Sequence, residues 1–186
     1  MYYTSPDRSS LLEQLQNQSI KAICDADWKD LTIIRLPEIP NFTLLVGWTG
    51  QVAITDSLIQ ATEKKRKVET DSAFYKEFLV KSHAIVHGLQ SAWNKQDIPA
   101  LQEGIRANRA LLNEFAREMQ LEIETPALQT LCDLAEQNGA CAKTSGAGGG
   151  DCGICFTQNE TQRQQIETQW AKAQIQVLPI AIAEAW

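Results

Sequence analysis

The sequence predicts an α+β fold in which an antiparallel sheet is covered by helices. Three observations carry this expectation. Runs rich in β-branched and aromatic residues stand near both ends of the chain, a long central stretch keeps a helical period, and strand and helix patterns alternate around a glycine-rich segment near the C-terminus. No repeat or low-complexity linker divides the 186 residues, so a single domain over residues 1–186 is expected.

Taken in order, "MYYTS" reads as the tail of a strand with nothing before it to pair with, and a first helix is expected around Leu11 to Ile23. "WKDLTIIRL" and "FTLLVGW" flank "PEIP", which reads as two strands and a turn. From Asp56 to Asn138 the period becomes helical. Phe74, Phe78, Ile85, Leu89 and Trp93 form one stripe, and Ile98, Leu101, Ile105, Leu112, Phe115 and Met119 form a second. Asp97 is placed to cap the second long helix with Pro99 in its first turn. Thr125 and Pro126 open a third, which Gly139 stops. "ACAKTS" and "CGICFT" then read as strands bracketing the glycines, "NETQRQQIETQWAKA" as a capped helix and "IQVLPIAIA" as a closing strand.

A net charge of −6 argues against nucleic acid or an anionic membrane surface as the partner. The five cysteines, odd in number and irregularly spaced, do not form a secreted disulfide framework. No apolar run is long enough to span a membrane, and the first residues lack a signal-peptide plan, so a reducing, cytoplasmic setting is expected.

The segment "KTSGAGGGDCGICF", Lys143 to Phe156, holds five of the chain's ten glycines. Glycine loses more backbone freedom on folding than any other residue, so this density must permit something that side chains would block. A Walker loop ends in Gly-Lys-Ser/Thr at the start of a helix, whereas here the lysine comes first. Gly148, Gly150 and Gly153 satisfy G-x-G-x-x-G, but "GICFT" continues as a strand where a dinucleotide fingerprint needs a helix. Two readings stand. One is a tight, bulged strand connection. The other is an anion nest, in which backbone N–H groups from Gly146 through Ala147, Gly148, Gly149 and Gly150 to Asp151 converge on phosphate oxygens while Lys143 and the Ser145 hydroxyl add donors. Hydrogen bonds to a charged group contribute about 1.5 to 3 kcal/mol each, so a few would offset the ordering of such a loop.

These residues carry a resemblance. "AKTSGAGGGDCGICF" is similar to the third signature motif of the GHMP kinase superfamily, most closely in its phosphomevalonate kinase branch, and "LLVGWTG", Leu44 to Gly50, resembles a second signature. "IETPALQTLCDLAEQNGACAK" leads into the loop as it does there, and "YTSPDR" resembles a strand end found midway along that family's chains. The resemblance implies a ferredoxin-like split β-α-β sheet and transfer of the ATP γ-phosphate, with Mg²⁺, to the small phosphorylated substrate 5-phosphomevalonate. It implies substrate contacts at Lys143, Ser145, the loop from Gly146 to Asp151, and Trp48, Thr49 and Gly50. Family chains are about twice this long, with an ATP-phosphate loop and a catalytic acidic residue in an N-terminal half. Neither feature occurs in this sequence, so the expectation is half a kinase, inactive alone, that requires the other half or self-associates. The alternatives are a non-catalytic phosphate-binding or interaction module, or another GHMP kinase. Thr144, "QVAIT" after Gly50 and Cys155 depart from the family's usual residues.

Other candidates have plainer readings. Asp151 either approaches Mg²⁺ or caps the loop, and Trp48 either walls the substrate site or is a buried strand residue. Arg106 and Arg109 read as solvated helix arginines before anion ligands. "EKKRK", Glu63 to Lys67, reads as an exposed helix face. Cys152 and Cys155 lack the second pair that zinc requires, and His83 and His87 lack the glutamate of a metalloprotease helix.

Overall fold

The computed structural model describes residues 2–5, 7–26, 28, 31–51, 73–146 and 148–180. The chain forms two compact units, Met1–Glu38 and Ile39–Trp186.

In the first unit, β1 (Tyr2–Thr4) pairs antiparallel with β2 (Thr32–Ile34), Tyr3 opposite Ile33. The opening strand therefore finds its partner downstream. Between them lie α1 (Arg8–Asn17), capped by the Asp7 carboxylate on the Ser10 N–H at 2.8 Å, and α2 (Ile20–Cys24), capped by Ser19. The single helix expected over 11–23 is thus two. The Ser19 hydroxyl accepts from the Ala22 N–H and restarts the helix, as short hydroxyl side chains do when they compete for backbone groups.

In the second unit, β3 (Thr43–Trp48), β4 (Cys141–Thr144), β5 (Cys152–Thr157) and β6 (Gln176–Val177) form one sheet in the order β4-β5-β3-β6. Every adjacent pair is antiparallel. It follows that β3 and β4 run the same way with β5 inserted between them, the split β-α-β arrangement of ferredoxin-like sheets. The two strands read around "PEIP" do not pair with each other: β2 joins β1, whereas β3 is an interior strand bonded to β5 and β6. The closing strand is shorter than "IQVLPIAIA" suggests: Leu178 still donates its N–H to the Val46 carbonyl, but the next N–H that would face β3, that of Ile180, turns back onto the Leu178 carbonyl across Pro179.

Among the described residues, three helices lie between β3 and β4: α3 (Ala73–Lys95), α4 (Ile98–Glu118) and α5 (Pro126–Gln137). The first part of the helical stretch expected from Asp56, with the "EKKRK" run, lies outside the described residues. Asp97 and Thr125 cap α4 and α5 as their sequences indicate, with Pro99 and Pro126 in the first turns. A Cβ on Gly104 would lie 2.7 Å from a Leu89 methyl carbon, so this glycine lets α3 and α4 approach closely. The helix α6 (Glu160–Lys172), capped by Asn159, connects β5 to β6.

One core cluster joins Leu45, Ala142 and Cys155 of the sheet to Leu131, Cys132 and Ala135 of α5 and to Ile166 and Trp170 of α6. Trp170 is fully buried and donates its indole N–H to the Leu131 carbonyl at 3.0 Å, which removes the cost of burying that polar group. A second cluster joins Phe42, Ala92 and Leu101 with the half-buried Trp93 and Phe156. Cys155 and Phe156 are neighbours on one strand and so point to opposite faces, which places the two clusters on opposite sides of the sheet.

Candidate functional site

The glycine loop, residues 145–151, joins β4 to its neighbour β5, so both ends are fixed by a ladder. The Ser145 N–H donates to the Cys152 carbonyl at 2.9 Å and closes the strand pair at the loop's root. Gly146, Gly148, Gly149 and Gly150 all have positive φ, at 68°, 79°, 79° and 126°, and Asp151 joins them at 61°. That stretch of left-handed backbone explains the composition, since a β-carbon is unfavourable in this region. Ala147 is outside the described residues.

The loop is pinned from both sides by main-chain groups. The Gly149 N–H donates to the Ile123 carbonyl at 2.8 Å. The Asp151 N–H donates to the Gln51 carbonyl at 2.7 Å, and the Asp151 carbonyl accepts from the Thr49 N–H at 2.8 Å and from the Thr49 hydroxyl at 3.0 Å. Three loop amides expected to face an anion, or to flank those that do, are therefore committed to the protein's own carbonyls. The reason is that a partly buried loop must pair most of its backbone donors internally. Among the described residues, the amides of Gly146, Gly148 and Gly150 have no such partner. Fewer amides are available than the sequence suggested, and on the described residues from Gly148 to Asp151 uncommitted and structural donors alternate.

Trp48, Thr49 and Gly50 do come to the loop. Trp48 ends β3 directly opposite Cys152 and is half-buried, Thr49 holds Asp151, and Gly50 turns the chain at φ 77° with open space where a side chain would sit. The two motifs, about a hundred positions apart in sequence, thus form one structure.

Lys143 lies one residue before the strand's end, opposite Ile154. Its ammonium donates to the Thr144 carbonyl at 2.7 Å and has no carboxylate partner among the described residues. Burial depresses its pKa from the ordinary lysine value, because a half-buried charge has lost water without gaining a counter-charge. The Ser145 hydroxyl is half-buried and also lacks a protein partner among the described residues. Asp151 is exposed, and among the described residues its carboxylate accepts only a weak thiol contact from Cys152 at 3.6 Å. Donors outnumber acceptors at this loop, which suits phosphate oxygens. A single exposed carboxylate fits Mg²⁺ only where phosphate oxygens complete its shell.

Arg106 is exposed, as the solvated reading expects, but paired, whereas Arg109 is largely buried and its guanidinium is taken up by carboxylates. Arg106 pairs with Glu136 at 2.6 Å and donates to the Ala140 carbonyl, and Arg109 pairs with Glu124 and Asp133. Cys152 and Cys155 point to opposite faces of β5, and His83 and His87 lie on an exposed face of α3 with their Nε2 atoms 3.0 Å apart. A groove lined by Phe74, Phe78, Leu111 and Glu114 lies between α3 and α4, where no sequence motif falls. Sequence reasoning missed Ile123 and the backbone role of Gln51, since a carbonyl has no residue-type signature. Glu124, an acidic residue tucked before a helix cap in "IETP", was a legible signal.

A helix-covered split β-α-β sheet with a glycine loop between its neighbouring strands defines a class, and comparison with known proteins gives that class its name. Residues 88–176 match the family GHMP kinases C terminal, and this part of the chain is a GHMP kinase C-terminal domain. The chain is 35% identical to a phosphomevalonate kinase of a Streptomyces species over 183 residues, 97% of this chain and 48% of that protein. Among solved structures it is similar to the Lin0012 protein of Listeria innocua, with 32% identity, a TM-score of 0.87, and coverage of 95% of this chain and 49% of that one. It is also similar to Streptococcus pneumoniae phosphomevalonate kinase in complex with phosphomevalonate and AMPPNP, with 27% identity, a TM-score of 0.79, and coverage of 95% and 50%. The chain thus spans about half the length of the relatives it matches.

Proposed function

We propose that the chain supplies the C-terminal portion of a phosphomevalonate kinase-like enzyme, which transfers the γ-phosphate of ATP to 5-phosphomevalonate and yields the diphosphate used in isoprenoid biosynthesis. The observation that carries this reading is the half-buried Lys143 ammonium, without a carboxylate partner among the described residues, at the root of a loop with three uncommitted amides. The likeness to a phosphomevalonate kinase and to a structure holding phosphomevalonate and AMPPNP supports the choice of substrate.

In this reading the amides of Gly146, Gly148 and Gly150, the Ser145 hydroxyl and Lys143 hold anionic oxygens of the substrate. They also stabilise charge that grows on those oxygens during transfer. Phosphoryl transfer is chiefly positioning and charge stabilisation, so a rigid loop of donors is a sufficient contribution from one half of a site. Mg²⁺ bound with ATP would neutralise the nucleotide's phosphate charge. Residues outside this chain would supply the ATP-phosphate loop and the catalytic acid. Free cysteines, among them the buried Cys132, Cys141 and Cys155, support a reducing cytoplasmic setting. Among the described residues no helix is long and apolar enough to cross a membrane.

A coupled ADP-release assay tests the proposal. Turnover is expected when the chain is mixed with the N-terminal half of the Streptomyces relative, and not from these residues alone. Calorimetry should show phosphomevalonate bound at least about ten-fold more tightly than inorganic phosphate, a difference of about 1.4 kcal/mol. No turnover in the mixture together with equal affinities would overturn the enzymatic reading in favour of a generic anion-binding module.

A further inference from the structure

The most buried ion pair among the described residues stands beside the glycine loop, and neither the family likeness nor the proposed mechanism uses it. Glu124 retains 7% of its side-chain exposure and Arg109 17%. The Arg109 guanidinium reaches Glu124 through Nε, at 2.9 Å from Oε2, and through Nη2. Nη2 also meets Asp133 at 2.8 Å, and the Asn113 amide donates to Glu124 at 3.0 Å. Burial alone would raise the Glu124 pKa, but the Arg109 and Asn113 hydrogen bonds more than offset it and hold the carboxyl below its ordinary value. Removing one member of a buried pair is far more costly than the pair itself is favourable, so such networks specify geometry better than they stabilise.

What this network fixes is the short connector between α4 and α5. Residue 123 is an anchor for the loop: the Gly149 N–H bonds to its carbonyl, and a β-carbon on Gly148 would come within 2.3 Å of that same oxygen. Glu124 follows it directly, and Thr125, the next residue, is tied down as the cap of α5.

We propose that the Arg109–Glu124–Asp133 network is a positioning device for the glycine loop, holding the Ile123 carbonyl where it seats Gly148 and Gly149 and so sets the direction of the uncommitted amides. Glu124 and Arg109 are positioning residues in this scheme, since they act on the loop through the neighbouring Ile123 carbonyl. The purpose assigned to the device rests on the phosphate-binding reading above.

The test uses the full chain with ¹⁵N-glycine labelling. Amide hydrogen exchange at Gly149 is followed by NMR in the parent and in Glu124→Gln and Asp133→Asn, and phosphomevalonate is titrated into each. Glu124→Gln keeps the side chain's shape and Asn113 contact while removing the charge. It should speed exchange at Gly149 by about ten-fold or more, leave the ladder amide of Gly153 unchanged, and weaken phosphomevalonate binding by about five- to ten-fold. Asp133→Asn touches Arg109 from its more exposed side and should have a smaller effect in the same direction, which keeps the test available if Glu124→Gln folds poorly. Unchanged Gly149 exchange in both variants, or equal acceleration at Gly149 and Gly153, would overturn the proposal and leave the phosphate reading intact. Selective acceleration at Gly149 in a parent protein that binds no phosphomevalonate would uphold the positioning role and remove the phosphate reading instead.

Discussion

Gly47 and Gly153 face each other across β3 and β5, and only a few residues away Gly146, Gly148, Gly149 and Gly150 bend the loop. The same residue type serves two physical needs in these places. At the sheet pair the requirement is space: a β-carbon on Gly153 would lie 2.6 Å from a Leu131 methyl carbon, and one on Gly47 2.8 Å from both Leu131 and the Trp170 ring. In the loop the requirement is conformation, because each glycine has positive φ, and at Gly146 nothing stands where a side chain would go. Glycine density therefore overstates the candidate site. Gly153 belongs to the core, Gly148 to both the core and the loop, and Gly146 to the loop alone.

That comparison can be broken by substitution. The largest effect is expected at Gly153→Val, which overpacks a fully buried site and should cost about 3 kcal/mol or more in thermal or denaturant unfolding. If space is the cause, Gly153→Ala combined with Leu131→Ala will cost at least about 1 kcal/mol less than the sum of the single changes. Strict additivity would show that Leu131 is not what Gly153 accommodates. Gly148→Ala meets a backbone carbonyl rather than a side-chain end and must also hold φ near 79°, so about 2 to 3 kcal/mol is expected, with phosphomevalonate binding lost. Gly146→Ala meets open space and should cost only the left-handed penalty, about 1 kcal/mol.

Lys143→Met sharpens the contrast between stability and binding. The folded lysine has a lowered pKa, so its charged form is disfavoured by folding at neutral pH, and that cost disappears as pH rises through the folded pKa toward the ordinary lysine value. The variant should melt slightly higher than the parent at pH 7, with the advantage shrinking in alkali, yet bind phosphomevalonate more weakly by calorimetry. The smallest effect is chemical. Burial pushes the Cys132 and Cys141 thiols up to about 12 and raises Cys155 further, so iodoacetamide on the native protein should modify exposed Cys24 first and leave these three intact by mass spectrometry.

Much of this architecture was legible in the sequence because its signals are local. Asp97 before Pro99, Thr125 before Pro126 and Asn159 before Glu160 each mark a helix start that the structure keeps. The apolar stripe of α4 was legible too, except that Leu111 rather than Leu112 is buried, since neighbouring positions lie on adjoining faces. Pairing was not legible. The partner of β1 depends on which strand the chain brings back to it, and the two strands around "PEIP" went to different sheets. At the site, glycine content announced left-handed backbone, and the loop has it. Which amides remain available depended on the carbonyls of Ile123 and Gln51, groups that every residue carries and that only tertiary structure can aim.

The bond from the Thr49 hydroxyl to the Asp151 carbonyl spans 102 positions, and the whole β3–β5 ladder is comparably distant in sequence. Closing so long a loop is entropically costly and must precede any reward from the contacts it makes, which places this chain among slow-folding topologies. Since β5 follows β3 by more than a hundred positions, β3 cannot form this ladder until the helices between them have been made. The loop between β4 and β5 is then among the last features to mature, since Thr49 and Gln51 bond to it only once that ladder has closed.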